Sequence, residues 1–150
     1  MDWLVSGRPP PGTHTLPIGE HIVSGDLHVP EGVILTAEGA GATLHFETGK
    51  GLLLKGGRCW GITIRGGGWC VVKAGGVTGG EIEQCALHGG VEIDGEAAPV
   101  LRDNTIMGSD GHGVGVGGDA APTLAGNHIR GNKRCGVAII DRAKPTVHEG

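Results

Sequence analysis

Two consecutive segments of equal length carry one pattern: Ala98–Ala120 reads APVLRDNTIMGSDGHGVGVGGDA, and Ala121–Ala143 reads APTLAGNHIRGNKRCGVAIIDRA. Nine positions are identical without a gap, and one of them is the Asn of Asn104 and Asn127. Residues 144–150 begin a third copy. Self-similarity at a fixed period is typical of repeat architectures, in which each repeat packs on its neighbours.

Short β-rich triplets separated by glycine-rich corners continue upstream to about Ile22. In the looser copy before Ala98, Val77 and Ile82 fall on the places of Leu124 and Ile129. No window has the periodicity of a helix, and the triplets are too short for a hairpin meander. Because like positions recur in the same direction, we expect each turn to stack on the one before, about 4.8 Å away.

These features predict an all-β fold, a single-stranded right-handed parallel β-helix (solenoid) with about six coils of roughly 18–24 residues and almost no helix. The chain 1–150 is then one domain, in which residues 1–20 form an N-terminal capping segment. Residues 98–143 are the two clear repeats, and residues 144–150 start an incomplete coil. Stacking places Ile106 on Ile129, and Asn104 on Asn127 as a structural ladder whose side-chain amides bond along the stack.

Composition excludes several classes of protein. The chain has 32 Gly and 8 Pro among 150 residues, yet 38% of it is hydrophobic and its net charge is only −4, which argues against disorder. The weakly acidic balance offers no general attraction for nucleic acid. No apolar stretch approaches the ~20 residues of a membrane helix, and the N-terminus lacks the regions of a signal peptide. We therefore expect a cytoplasmic protein.

The cysteines and histidines do not predict a metal site or a cofactor. Cys59, Cys70, Cys85 and Cys135 form no CxxC pair, and no two histidines are spaced i, i+2. Without a secretion signal, we expect four reduced, mostly buried thiols.

The unit A-P-x-L-x-x-N-x-I-x-G…G-V-x-(V/I) resembles the parallel β-helix repeat of the pectate-lyase-like superfamily. That superfamily contains polysaccharide lyases and glycosidases, and also modules without catalytic activity. The corner A-x-P-T-(L/V) is most similar to the non-enzymatic and F-box-type modules. The resemblance implies the fold, whereas function depends on the site.

One candidate site is an outward sheet face that carries Glu81, Glu83, His128 and Arg130. Two carboxylates on one strand lie roughly 6–7 Å apart, within the range used by carboxylate-pair glycosidases. Exposed strands also carry such residues simply because polar side chains are solvated. The lyases that the repeat resembles use clustered Asp residues, which this sequence lacks. We expect no enzyme; the alternative is a lyase-like or glycoside-hydrolase-like protein.

A second candidate surface is apolar and comprises Gly115, Ala138 and Ile140 on another face, with Val147 on the incomplete last coil. Flat apolar strips and unpaired strand edges both favour association. We expect a homo-oligomer and favour a dimer over an end-stacked filament. The predicted function is a non-catalytic scaffold or recognition module acting through self-association or a protein partner; the alternative is a carbohydrate-binding or carbohydrate-active protein that uses an exposed sheet face for a glycan.

Overall fold

The computed structural model describes residues 3–76 and 79–148. These residues form one short helix and seventeen strands. The elements are α1 (Trp3–Ser6), β1 (Gly12–Leu16), β2 (Gly19–Val23), β3 (Leu27–Pro30), β4 (Val33–Ala37), β5 (Ala42–Phe46), β6 (Leu52–Lys55), β7 (Arg58–Trp60), β8 (Thr63–Ala74), β9 (Glu81–Glu83), β10 (Ala86–Ile93), β11 (Val100–Arg102), β12 (Thr105–Met107), β13 (Val114–Val116), β14 (Thr123–Ala125), β15 (His128–Arg130), β16 (Val137–Ile139) and β17 (Thr146–His148).

The strands build three parallel faces around one core. The first face has the order β1-β4-β7-β9-β11-β14-β17. The second face contains β2, β5, β8, β10, β12 and β15, and the third contains β3, β6, β8, β10, β13 and β16, because β8 and β10 continue through the corner between them. Each strand pairs with the strand one turn later, so the predicted parallel β-helix and its near lack of helix are confirmed.

We number the coils from their first-face strands: coil 1 is residues 12–32, coil 2 is 33–57, coil 3 is 58–76 with 79–80, coil 4 is 81–99, coil 5 is 100–122 and coil 6 is 123–145. Strand β17 begins a seventh turn. The coils are not equal in length. The pairing of Glu81 with Val100 spans one of the shortest turns, and the pairing of Leu27 with Leu52 spans the longest.

Alternation along the short strands points every second side chain into the core. In the second face, Leu44, Ile64, Leu87 and Ile106 are fully buried and stack in one column that ends at Ile129. Aliphatic side chains of similar volume therefore fill each layer, and the predicted stacking of Ile106 on Ile129 is confirmed.

Residues in the left-handed region turn the chain from one face to the next. The corner between the third and first faces places Gly95, Gly118 and Asp141 at φ values of 65°, 59° and 56°. Glycine adopts this region readily, and aspartate is among the few other residues that tolerate it. The Gly118 amide donates to Asp141 Oδ2 at 3.1 Å, so the side chain of one corner holds the backbone of the previous one.

Coil 4 has a corner that is four residues shorter than its counterpart in coil 5. Only Gly89 and Gly90 separate His88 from Val91, whereas residues 108–113 fill the same corner in coil 5. A Cβ at Gly90 would lie 2.5 Å from the carbonyl oxygen of His112. The backbones of the two flanking coils therefore close over this position, and only glycine fits.

The short corner lets coil 3 contact coils 5 and 6 directly. Ser109 is buried and donates its hydroxyl to the Trp69 carbonyl oxygen at 2.7 Å. The Trp69 ring lies against Gly111, and the Arg134 guanidinium carbon is 5.0 Å from the ring centroid. A cation over an aromatic face is attractive, so Trp69 connects three coils that are not all neighbours.

Candidate functional site

The centre of the first face carries a row of charged side chains around one exposed aromatic ring. Arg58 Nε donates to Glu81 Oε2 at 2.8 Å. Trp60 is 43% exposed, and its strand neighbour in coil 4 is Glu83, which is followed in coil 5 by Arg102. A sequence search for acidic pairs finds the glutamates but misses Trp60, whose signal is an aromatic residue at an outward strand position.

The structure separates the four residues of the predicted acid–base site. Glu81 and Glu83 lie in β9, which pairs with β7 and β11 in the first face. His128 and Arg130 lie in β15, which pairs with β12 in the second face. The expectation that they share one outward face is therefore wrong.

The error arises from the length of coil 4. Ile82 pairs with Leu101, and so belongs to the column of Leu124 rather than that of Ile129. The corner at Gly89 and Gly90 is shorter than the corner in the two clear repeats. Applying the period of those repeats to coil 4 therefore assigns Ile82 to the second face instead of the first. Val77, which was aligned with Leu124, lies outside the described residues.

On the second face, His128 and Arg130 lie at the end of two outward columns that contain histidine and arginine side chains. These columns also carry Arg65 and His88, which are direct neighbours across strands β8 and β10. Burial, and then the charge of Arg65, lower the pKa of His88. Among the residues described in these columns the one carboxylate is Glu20, in coil 1, whose Oε1 lies 2.8 Å from Nδ1 of His45. The described outward columns of this face therefore offer no pair of carboxylates for hydrolysis.

The third face carries the predicted apolar strip. Gly115 pairs with Glu92 on one side and with Ala138 on the other, and no atom lies within 4 Å of the position its Cβ would take. Ile140 is 62% exposed and covers Gly117 at the adjacent corner. The strip lines a cavity of about 240 Å³, which Glu92, Asp94 and Asp141 also border.

The asparagine ladder forms as predicted. Asn104 is fully buried; its Nδ2 donates to the Ile82 carbonyl oxygen at 2.9 Å, and its Oδ1 accepts the Cys85 amide at 3.0 Å. Asn127 Oδ1 accepts both Nδ2 and the backbone amide of Asn104 at 3.0 Å, and Asn127 Nδ2 donates to the Leu101 carbonyl oxygen at 2.9 Å. The ladder satisfies corner groups that the strands leave unpaired.

The head end, in front of coil 1, is covered by the N-terminal segment. Trp3 of α1 is buried, and its ring packs on His14 with centroids 5.4 Å apart. His14 Nε2 lies 2.6 Å from the Pro10 carbonyl oxygen. The Gly7 carbonyl oxygen accepts the backbone amide of His28, a residue of β3, at 2.7 Å. The segment thus meets both the core and a strand edge.

The tail end, behind coil 6, leaves core positions open to solvent. Val147 stacks on Leu124 and is 60% exposed, while Leu124 is 2% exposed. Ile139 stacks on Val116 in the third face and is 52% exposed. These side chains belong to inward columns, so the tail surface is a cross-section of the core.

The four cysteines differ in how far their side chains are buried. Cys59 and Cys85 are buried; burial raises the pKa of Cys59 and raises the pKa of Cys85 to about 11. Cys70 is half-buried, with its pKa also raised mainly by burial, and Cys135 is exposed. That all four remain reduced stays a prediction.

Two classes of feature are not found in the described part of the chain. Residues 3–76 and 79–148 contain no group of three His, Cys, Asp or Glu side chains placed to hold a metal ion. Over the same residues, no helix is long and apolar enough to cross a membrane.

Comparison with known proteins gives one match. A family model described as "Right handed beta helix region" matches residues 57–149, which is more than half of the chain and includes strands β7 to β17. No curated protein and no solved structure matches the chain. The chain therefore belongs to the family defined by the right-handed β-helix region.

Proposed function

We propose that the chain is a non-catalytic β-helix, a scaffold or recognition module that works by self-association or by binding a partner protein. The observation that carries this proposal is the placement of its large exposed aliphatic side chains, which lie at the two ends of the stack and, as Ile140, beside the strip at Gly115 and Ala138. The similarity of the repeat to non-enzymatic and F-box-type modules of the pectate-lyase-like superfamily agrees with it. We place its work in the cytoplasm, where all four cysteines would stay reduced.

The distribution of acids and bases supports a non-catalytic role. Glu81, one of the two glutamates, forms an ion pair with Arg58. Because its carboxylate faces that guanidinium, it is not placed to protonate a leaving group. The histidine and arginine of the predicted site lie on another face. A glycosidase needs its two carboxyls on opposite sides of one sugar bond, whereas Glu81 and Glu83 lie on the same side of one strand.

The apolar strip supports self-association through a two-fold contact. Gly115 and Ala138 lack side chains that would keep a second sheet at a distance, and Ile140 adds exposed aliphatic area. Two-fold dimers are the commonest form of homo-oligomer. A homodimer paired through this strip is one form that the proposal predicts.

Light scattering of the purified chain across the micromolar range tests self-association. We expect a mass above that of the monomer. If two protomers associate through the strip, Ala138→Arg should prevent it, because it places a long charged side chain on that surface. Ala98→Arg, at an exposed corner, is the matched control. A monomer at every concentration contradicts self-association as the mode of action.

Carbohydrate binding is the second candidate, and the exposed Trp60 ring favours it. An aromatic face beside Glu83, Arg102 and the Thr36 hydroxyl offers a platform with polar groups that can fix the orientation of a sugar. This surface lies in the first face and is distinct from the apolar strip.

A glycan-binding screen with a reducing-end assay tests this alternative. Binding that is lost in Trp60→Ala supports a carbohydrate module, and release of new reducing ends supports an enzyme. Trp69→Ala is the matched control, because it removes another exposed tryptophan ring, one that lies outside the first face. Absence of any glycan bound excludes the alternative for the glycans screened.

A further inference from the structure

Large exposed aliphatic side chains cluster at the two ends of the solenoid. In the part of the chain that the structure describes, the only other large exposed apolar residues are Trp60 and Trp69. The exposed aliphatic residues are Val5 (78%), Ile18 (69%) and Ile22 (60%) at the head, and Ile139 (52%), Ile140 (62%) and Val147 (60%) at the tail. The middle coils thus keep their aliphatic side chains inside, whereas both ends expose them.

The two ends carry opposite net charge. Residues 1–32 contain four carboxylates and one Arg, a net charge of −3. Residues 123–150 contain five Lys or Arg and two carboxylates, a net charge of +3. The chain is therefore polarised along the axis of the stack, although its total charge is only −4.

The tail combines an apolar centre with a cationic rim. Its centre is formed by Ile139 and Val147, which occupy inward columns. On the rim, Arg142 pairs with Asp119 and Lys133 with Asp110 of the previous coil, but Arg130 and Lys144 have no ion pair among the described residues. An apolar centre within a polar rim is the usual anatomy of a protein interface.

The head presents side chains rather than an open sheet. Helix α1 packs on β2, and Gly7 engages the amide of His28 in β3, so the N-terminal segment occupies part of that end. Ile22 of β2 and Ile18, which directly precedes the strand, flank Glu20. The head is thus an apolar and acidic surface that a basic, apolar surface can cover by side-chain packing.

We propose that a second copy of this chain docks head to tail, with the tail centre of one protomer on the α1/β2 surface of the next. This inference rests on the proposed self-association and specifies its geometry. A tail-to-tail contact opposes +3 to +3 and a head-to-head contact opposes −3 to −3, whereas head-to-tail contact joins opposite charges. Such a heterologous contact leaves one free head and one free tail, so the assembly grows linearly unless it closes into a ring.

Complementary variants test this geometry. Ile22→Lys blocks the head and Val147→Glu blocks the tail; both positions are exposed, so circular dichroism should show the fold unchanged. Each variant alone should be a monomer by sedimentation velocity. Mixed in equal amounts, they should form a one-to-one dimer, because one retains an intact tail and the other an intact head. Ala98→Lys and Ala98→Glu, at an exposed corner in mid-stack, are the matched controls and should assemble as the unmodified chain does.

Other outcomes overturn the geometry and identify what replaces it. If Ile22→Lys alone still dimerises while Val147→Glu does not, the contact is tail to tail. If both still associate and only Ala138→Arg is monomeric, the third-face strip pairs the protomers. Either result rejects head-to-tail docking but not self-association. An unmodified chain that is monomeric at every concentration rejects head-to-tail docking and self-association together.

Salt gives an independent readout of the same proposal. Charge complementarity between exposed rims is screened by ions, so the mean assembly mass should fall as sodium chloride increases. Contact between ends of like charge would respond in the opposite direction. An assembly mass that rises with salt therefore contradicts head-to-tail docking.

Discussion

The head and the tail of this solenoid end the same columns of residues in opposite ways. The first-face inward column begins at His14 and reaches Leu124 and Val147. At the head, Trp3 covers the column and His14 Nε2 lies within hydrogen-bond distance of a backbone carbonyl oxygen. At the tail, Val147 occupies the equivalent place as an exposed aliphatic side chain.

The difference teaches that burial in this fold is a property of the stack rather than of the repeat. Leu101 and Leu124 occupy one column and are buried because a coil lies on either side of each. Val147 carries the same kind of side chain but has a coil on one side only within the described residues. Each repeat therefore needs its neighbours to form a core.

The largest effect is expected from opening the head. Trp3→Ala removes a buried aromatic side chain from the cap and should lower the free energy of unfolding by about 3–5 kcal/mol. Urea denaturation measures the change. Trp69→Ala is the control, since its ring is exposed and it should cost less. Equal losses for the two variants would show that the head is not closed by Trp3.

The second prediction compares Leu124 and Val147, which lie in the same inward column but differ in exposure. Leu124→Ala should cost about 2–5 kcal/mol, because it leaves a cavity in coil 6 between Leu101 and Val147. Val147→Ala should change stability by less than about 0.5 kcal/mol, as expected for an exposed position. Both are measured on dilute protein, so that association does not contribute. Similar costs would mean that Val147 is covered in solution.

The asparagine ladder gives a smaller contrast along the stack. Asn104→Leu leaves the Cys85 amide and the Ile82 carbonyl oxygen without a hydrogen-bond partner in the core. Each unpaired group should lower the free energy of unfolding by about 1–3 kcal/mol. Asn127→Leu, in a half-buried position one coil nearer the tail, should cost less, about 1–3 kcal/mol in total. Thermal unfolding orders the two variants. A larger loss for Asn127→Leu would contradict this order.

The smallest effect concerns pH. Burial is the main cause that lowers the pKa of His28 and of His88 below 6.5 in the folded chain. The unfolded chain then binds more protons than the folded one, so stability should decline as pH falls through 6.5. His28→Gln combined with His88→Gln should make the decline shallower. An unchanged decline would assign it to other groups.

The repeat predicts the fold and part of the packing. Ile106 over Ile129 and Asn104 beside Asn127 follow from the identical positions of the two repeat segments, because those segments share one corner length. Gly115 and Ala138 are correctly aligned for the same reason.

The candidate site could not be assigned by the same route. Glu81-Ile82-Glu83 has one buried residue at its centre, as do the short strands β11 of the first face and β12 of the second, so only the corner lengths decide between these two faces. The corner at Gly89 and Gly90 is four residues shorter, and its glycines look like those of any other corner. Trp60 stands in an equally short triplet, whose outward direction becomes visible only once the register is known.

The Trp69 contact has a consequence for how the solenoid responds to force. In a stack held by neighbour contacts alone, pulling on the C-terminus removes coils one at a time. Here Arg134 of coil 6 lies on the Trp69 ring of coil 3, and Ser109 of coil 5 bonds the Trp69 carbonyl oxygen. Coil 6 cannot leave before its cation–π contact breaks, and coil 5 is held by the hydroxyl bond. Besides the backbone bonds between neighbouring coils, mechanical resistance at the tail end thus draws on one residue that belongs to the middle of the chain.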